Sequence, residues 1–167
     1  GGLVSGLSSA MWLEGWTWEE MSMKGAAALN VSWPDPNARP RRFGGGRGEP
    51  REAPKTYAER VQELKNYFAE ARAYRDAVKA GQVLHTDSRY AAMIPALDRE
   101  IPVIVEADGV AQINDAITWA KEENLRIVIR GGRDAIHVAS RLKAENVPVI
   151  LTSTMGAPGR LNEGDVW

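Results

Sequence analysis

From residue 101 onward, apolar and polar positions follow a regular rhythm. The stretch "IPVIVEADGV", residues 101–110, is a β-branched run that ends in Glu106 and Asp108 before Gly109 opens a helix. That helix carries Val110, Ile113, Ala116, Ile117 and Ala120 on one side, and Asn124 ends it. The strand "LRIVIRGG" comes next, then a second helix with Ile136, Ala139 and Leu142, ended by Asn146, then the strand "VPVILTS". The spacing predicts β-α-β-α-β over residues 101–154. Strands this uniformly apolar are expected to be buried on both faces, as in a parallel sheet covered by helices.

Upstream the pattern changes. Thr56-Tyr57-Ala58-Glu59 fits a capping box, in which hydroxyl and carboxylate each satisfy an orphan backbone N–H. Tyr57, Val61, Leu64, Phe68, Ala71 and Val78 then form one apolar stripe, and Gly81 is a left-handed stop, so a long amphipathic helix is predicted over 56–80. Residues 36–55 have the Pro, Gly and Arg composition of a mobile loop. Residues 1–33 read as short strands and turns.

Composition narrows the classes. The 167 residues suffice for a buried core, and 21 Lys plus Arg nearly cancel 22 Asp plus Glu, so no global charge calls for nucleic acid or an anionic membrane. There is no cysteine, which excludes thiolate catalysis, disulfides and Cys-based zinc sites. No apolar run is long enough for a transmembrane helix, and no signal-peptide pattern is visible, which leaves the compartment undetermined. The ends read as those of a piece of something longer.

Ligands of parallel α/β proteins meet the carboxyl ends of the strands. Those ends hold Glu106-Ala107-Asp108, Arg130-Gly131-Gly132 and Thr152-Ser153-Thr154. Alternation puts Ile104 and Glu106 on one face and Val103 and Val105 on the other. Glu106, Arg130 and Thr152 are therefore candidates for one polar rim, with Glu106 left open between metal ligand and acid or base, and Arg130 and Thr152 as substrate contacts. The plainer alternative pairs Arg130 with Glu106. Asp108 reads as a helix N-cap, since Asp leads that ranking, and Gly131-Gly132 as a tight turn, since no phosphate-binding fingerprint is present. His137 is expected to be partly buried in its helix and His85 exposed, which gives no His-rich metal site. "RPRRFGGGRGEPR" has an RNA-binding flavour, but Glu49 and Glu52 interrupt it and favour a solvated loop. Trp12, Trp16 and Trp18 read as a Trp-rich core edge rather than a sugar subsite.

Two blocks carry a family resemblance. "GGLVSGLSSAMWLEGWTWEEMSMKGAAALNVSWPDP" and "ALDREIPVIVEADGVAQINDAITWAKEENLRIVIRGGRDAIHVASRLKAENVPVIL" resemble the imidazolonepropionase-related branch of the amidohydrolase superfamily, the second block being similar to its fifth to seventh barrel strands. The resemblance implies an α/β fold that is a partial (β/α)8 TIM barrel. It also implies a divalent metal, usually zinc, that activates water against amide or other C–N bonds. The His-x-His pair of the first strand and the Asp of the eighth are not here, so residues 1–167 match the middle of a barrel. Glu106 falls where many relatives end the fifth strand in "V-x-x-H-A", and a carboxylate can still serve as a hard oxygen ligand. Gly131 falls where a His-Gly pair often ends the sixth, and cannot.

The sequence therefore favours a central segment of a metal-dependent amidohydrolase-like hydrolase. Its expected substrate is a small amide or dipeptide-like molecule, with no nucleic-acid or membrane partner, and the segment alone is expected to be inactive. Two alternatives stand beside it. One is a non-catalytic barrel scaffold. The other is a self-contained open α/β ligand-binding domain, which expects strands covered on both faces, whereas the barrel reading expects an open sheet edge near residues 147–154.

Overall fold

The computed structural model describes residues 2–36, 55–82 and 85–152. The loop expected at 36–55 lies outside the described residues except at Pro36 and Lys55, and so do Ser153 and Thr154. The order is β1 (Val4–Met11), α1 (Trp18–Met21), β2 (Ser22–Ser32), α2 (Tyr57–Lys79), α3 (Ser88–Ala91), α4 (Ile94–Leu97), β3 (Val103–Ala107), α5 (Val110–Glu122), β4 (Ile127–Gly131), a 3-10 turn (Ala135–Val138), α6 (Ala139–Ala144) and β5 (Val149–Leu151). The strands form one sheet in the order β1-β2-β3-β4-β5. β1 pairs antiparallel with β2, and β2 to β5 run parallel.

The helices form for the reasons written in the chain. Thr56 and Glu59 make the capping box at the start of α2, and Leu64, Phe68 and Ala71 are its buried stripe. The helix closes in a Schellman motif: the Gly81 N–H bonds the Val78 carbonyl, the Gln82 N–H bonds the Ala77 carbonyl, and Gly81 takes φ +68°. Asn124 and Asn146 do the same for α5 and α6 at φ +52° and +51°. Asn tolerates the left-handed region because its short amide bonds locally. Both stops are as the sequence predicted.

The core lies on one side of the sheet. Val103, Val105 and Ala107 of β3 and Ile127 and Ile129 of β4 face Ile113, Ala116, Ile117 and Trp119 of α5 and Leu64 and Phe68 of α2, all buried. Trp119 meets Phe68 edge-on at 4.9 Å and Trp33 at 5.5 Å. On the opposite face no side chain of β3 to β5 is buried among the described residues: Ile104 and Val128 are half-buried, and Glu106, Arg130 and Ile150 are exposed. Burial on both faces, expected from the apolar runs, is therefore not found among the described residues. An apolar run reports strands that need two covers, and only one cover is packed here.

Two further expectations are corrected. The segment after β4 starts as a 3-10 turn, which shifts the helical phase. Leu142 is buried as expected, but Ala135 and Val138 are buried in place of Ile136, which is 79% exposed, and of Ala139, which lies in solvent with His137. His137 is thus not a packing residue. Trp12, Trp16 and Trp18 sit at the tip of the β1–β2 connection and are 60%, 99% and 69% exposed, so they form no core edge.

Candidate functional site

The carboxyl ends of β2, β3 and β4 meet at one rim, and register decides which side chains share it. Ser32 pairs with Glu106, Glu106 with Arg130, and Arg130 with Ile150 of β5. These four lie side by side on the uncovered face, neighbours separated by about 4.8 Å of strand spacing. One level below, Asn30, Ile104 and Val128 form a second row. Asn30 is held by its own bonds to the Gly6 carbonyl and the Ser8 hydroxyl. The upper row is thus a hydroxyl, a carboxylate and a guanidinium above an apolar layer. No ion pair joins Glu106 to Arg130 among the described residues. The expected pairing is not formed.

Gly131 pairs with Ala107, whose side chain is buried on the helix side, so it does not share Glu106's face. It takes φ +104°, and a Cβ there would stand 2.6 Å from Asp108 Oδ1. No side chain fits without displacing that carboxylate. The position on β4 that shares a face with Glu106 is Arg130.

Asp108 is not the N-cap; Gly109 is. Asp108 instead staples two strand exits: its carbonyl accepts from the Asp134 N–H at 2.9 Å and its carboxylate from the Arg133 N–H at 3.4 Å. Gln112 ties in a third. Its Oε1 accepts from the Asp108 and Gly109 N–H groups at 3.2 and 3.0 Å, and its Nε2 donates to the Pro34 carbonyl at 3.0 Å. Gln112 went unnoticed in the sequence. Its signal was a Gln three residues after a cap, the second half of a capping box, obscured by assigning the cap to Asp108.

An open cleft of about 790 Å³ lies over this rim, lined by Ser32, Trp33, Glu106, Asp108, Gln112 and Arg133 among others. Of the three rim candidates only Glu106 lines it; Arg130 lies beside it in the sheet, and Thr152 is exposed just past β5. Trp33 is buried below. Its N–H extends the ladder to the Glu106 carbonyl at 3.1 Å, and its indole donates to the Tyr57 hydroxyl at 3.0 Å. Tyr57 in turn donates to Asp115 at 2.5 Å. Burial, with the Asp115 carboxylate behind it, pushes the Tyr57 hydroxyl up to about 12.

The donors do not amount to a divalent-metal site by themselves. No group of three His, Cys, Asp or Glu close enough to hold an ion occurs among the described residues. Glu106 offers one carboxylate, and its neighbour on the rung is a cation. A divalent ion about 5 Å from a guanidinium meets a repulsion between about 2 and 7 kcal/mol, as the effective dielectric falls from bulk water to the protein surface.

No family model matches the chain, and no curated protein matches it. Among solved structures, the crystal structure of an amidohydrolase from Thermotoga maritima MSB8 matches at a TM-score of 0.77 and 20% identity, covering 98% of this chain. The chain spans 42% of that structure's length. The likeness establishes the fold: an amidohydrolase-like, mixed α/β partial barrel of mostly parallel strands.

Proposed function

We propose that this chain is the central part of an amidohydrolase-like barrel whose parent hydrolyses amide-type C–N bonds of small or dipeptide-like molecules. The observation that carries this reading is the uncovered sheet face, with Ser32, Glu106 and Arg130 aligned at the carboxyl ends of three parallel strands. That is where barrels of this class build their sites. Fold alone does not assign chemistry, and the rung supplies the polar groups that make a site.

Any divalent metal, zinc by the family resemblance, would need donors beyond the described residues, with Glu106 contributing one carboxylate. No step is therefore drawn through it. This chain's own residues position: Gln112 and Asp108 lock three strand exits together, and Trp33 fixes the backbone behind Glu106. The chain alone is expected to be inactive. Incubating it with zinc and a panel of dipeptides, N-acyl amino acids and cyclic amides tests this, and clear turnover would refute the reading. A second reading, a barrel that binds a ligand without hydrolysing it, is favoured by one observation, the guanidinium beside Glu106. A parent chain that closes the barrel yet turns over nothing in the panel would support it.

A further inference from the structure

We propose that the amino ends of β3, β4 and β5 hold a binding site for a phosphate-type dianion, at the end of the sheet opposite the Glu106 rim. A cavity of about 380 Å³ lies there between the strand entries and the last turn of α5, a size ordinary for a small-molecule pocket. Arg99, Lys121 and Arg126 line it, and Glu145 is the one acid that does among the described residues. Lys121 pairs with Glu145 at 2.6 Å, so these two cancel. The two guanidinia supply the charge that is left, and neither forms an ion pair among the described residues. Asp98, beside Arg99 in the chain, is taken up by Lys79 and Arg75, and Glu100 is exposed and does not line the cavity. Neutral groups hold the guanidinia in place. Arg99 Nη1 donates to Asn124 Oδ1 at 2.6 Å, and Arg126 Nη1 to the Arg99 carbonyl at 3.1 Å, so each keeps further N–H donors for a ligand. Ile117, Ala120, Leu125, Ile127 and Val147 make other walls apolar.

The backbone gives an independent sign. Arg99 ends α4 as Gly81 ends α2: its N–H bonds the Ala96 carbonyl, the Glu100 N–H bonds the Pro95 carbonyl, and φ is +63°. Glycine suits that position, and arginine carries left-handed strain there without the local bonding available to asparagine. The strain places a guanidinium at the cavity where glycine would place nothing. Two forked cations beside an apolar wall match the oxygens and the organic part of a phosphomonoester. A dianion gains about twice what a carboxylate gains from the two guanidinia, and the Lys121–Glu145 pair adds no net charge. Barrels of this class place their chemistry at the other end of the strands, so this site binds rather than turns over, and it stands apart from the hydrolase reading.

The test titrates the ¹⁵N-labelled chain by NMR at about pH 8, where a phosphomonoester carries nearly two negative charges. The probes are phenyl phosphate, benzoate and inorganic phosphate at constant ionic strength. Saturable shifts of the Arg99, Glu100 and Arg126 amides are expected with phenyl phosphate, about tenfold tighter than with benzoate. Inorganic phosphate tests the source. The same shifts at equal affinity would make free phosphate the ligand, weaker affinity an organic phosphate, and either result supports the site. Arg99→Gly separates binding from packing: it is expected to keep or raise the melting temperature, because glycine relieves the strain, while weakening phenyl phosphate about tenfold. Arg126→Gln is expected to weaken it likewise, and Arg126→Lys by less. Benzoate bound as tightly as phenyl phosphate, shifts gathered at Arg130 instead, or full affinity in both Arg99→Gly and Arg126→Gln would overturn the proposal. A destabilised Arg99→Gly chain would overturn the argument from strain, and Arg126→Gln, whose side chain is exposed, then decides the site.

Discussion

At Gly131 the backbone takes φ +104° and the Asp108 carboxylate stands 2.6 Å from where a Cβ would be. Two penalties therefore add in a Gly131→Ala variant, left-handed strain and a steric clash. A loss of about 2–4 kcal/mol is expected from urea unfolding. Adding Asp108→Gly should recover only the clash, and full additivity of the two changes would show that they do not touch. Tyr57 provides a second test, this one against pH. Its hydroxyl is neutral in the fold well above pH 10, because burial and Asp115 raise it to about 12. A raised value means that the stability it gives is complete below pH 10 and fades between about 10 and 12. Tyr57→Phe should leave Trp33 Nε1 without its acceptor, cost about 1–2 kcal/mol at pH 7, and flatten the alkaline decline relative to wild type. An identical alkaline slope in the variant would refute the assignment. Neither residue announced its role in the chain. Gly131 looked like a turn, and Tyr57 like one member of a helical stripe, because neither Asp108 nor Asp115 can be paired with them before the chain is folded.

Among the elements, the helix ends were the most legible. Thr56 with Glu59, Gly81, Asn124 and Asn146 each act within a few residues of themselves, so local sequence was enough to place them. Replacing Asn146 by Val, which resists φ near +51°, should destabilise the chain by about 1–2 kcal/mol, whereas Asn146→Gly should be neutral or better. Chemical denaturation of the pair checks this, and equal stability of the two variants would count against the left-handed stop. The segment 135–144 was less legible. A 3-10 start shifts the phase by a fraction of a turn, enough to bury Val138 and expose Ile136 and His137. The rim was legible in part. The candidates Glu106 and Arg130 were readable as polar strand ends, but register had to place Arg130, and not Gly131, beside Glu106. Gln112 acts on Pro34, far away in the chain, and no local pattern reveals that bond.

At the scale of the molecule, the sheet is covered on one face and β5 is its last strand among the described residues, with Ile150 and Leu151 48% and 56% exposed. An exposed apolar edge is a template for pairing with another chain. The isolated chain is expected to associate with rising concentration. Ile150→Lys with Leu151→Lys should suppress that association while leaving the melting temperature within about 2 °C, since neither side chain is in the core. Light scattering against concentration checks this, and unchanged association in the double variant would place the contact elsewhere, for instance at the exposed Trp12, Trp16 and Trp18.

The sequence by itself determined the long helix α2, the β-α-β-α-β order after residue 101, the helix stops and the parallel α/β class, because periodicity and helix stops are properties of neighbours along the chain. It also marked the strand ends where chemistry would sit. Only the tertiary structure decided that the core packs on one face of the sheet among the described residues, that Arg130 rather than Gly131 stands beside Glu106, and that Gln112 and Asp108 bind the rim together. Those are properties of register and of contacts between residues far apart in sequence, and an apolar run reads the same whether one cover is packed against it or two.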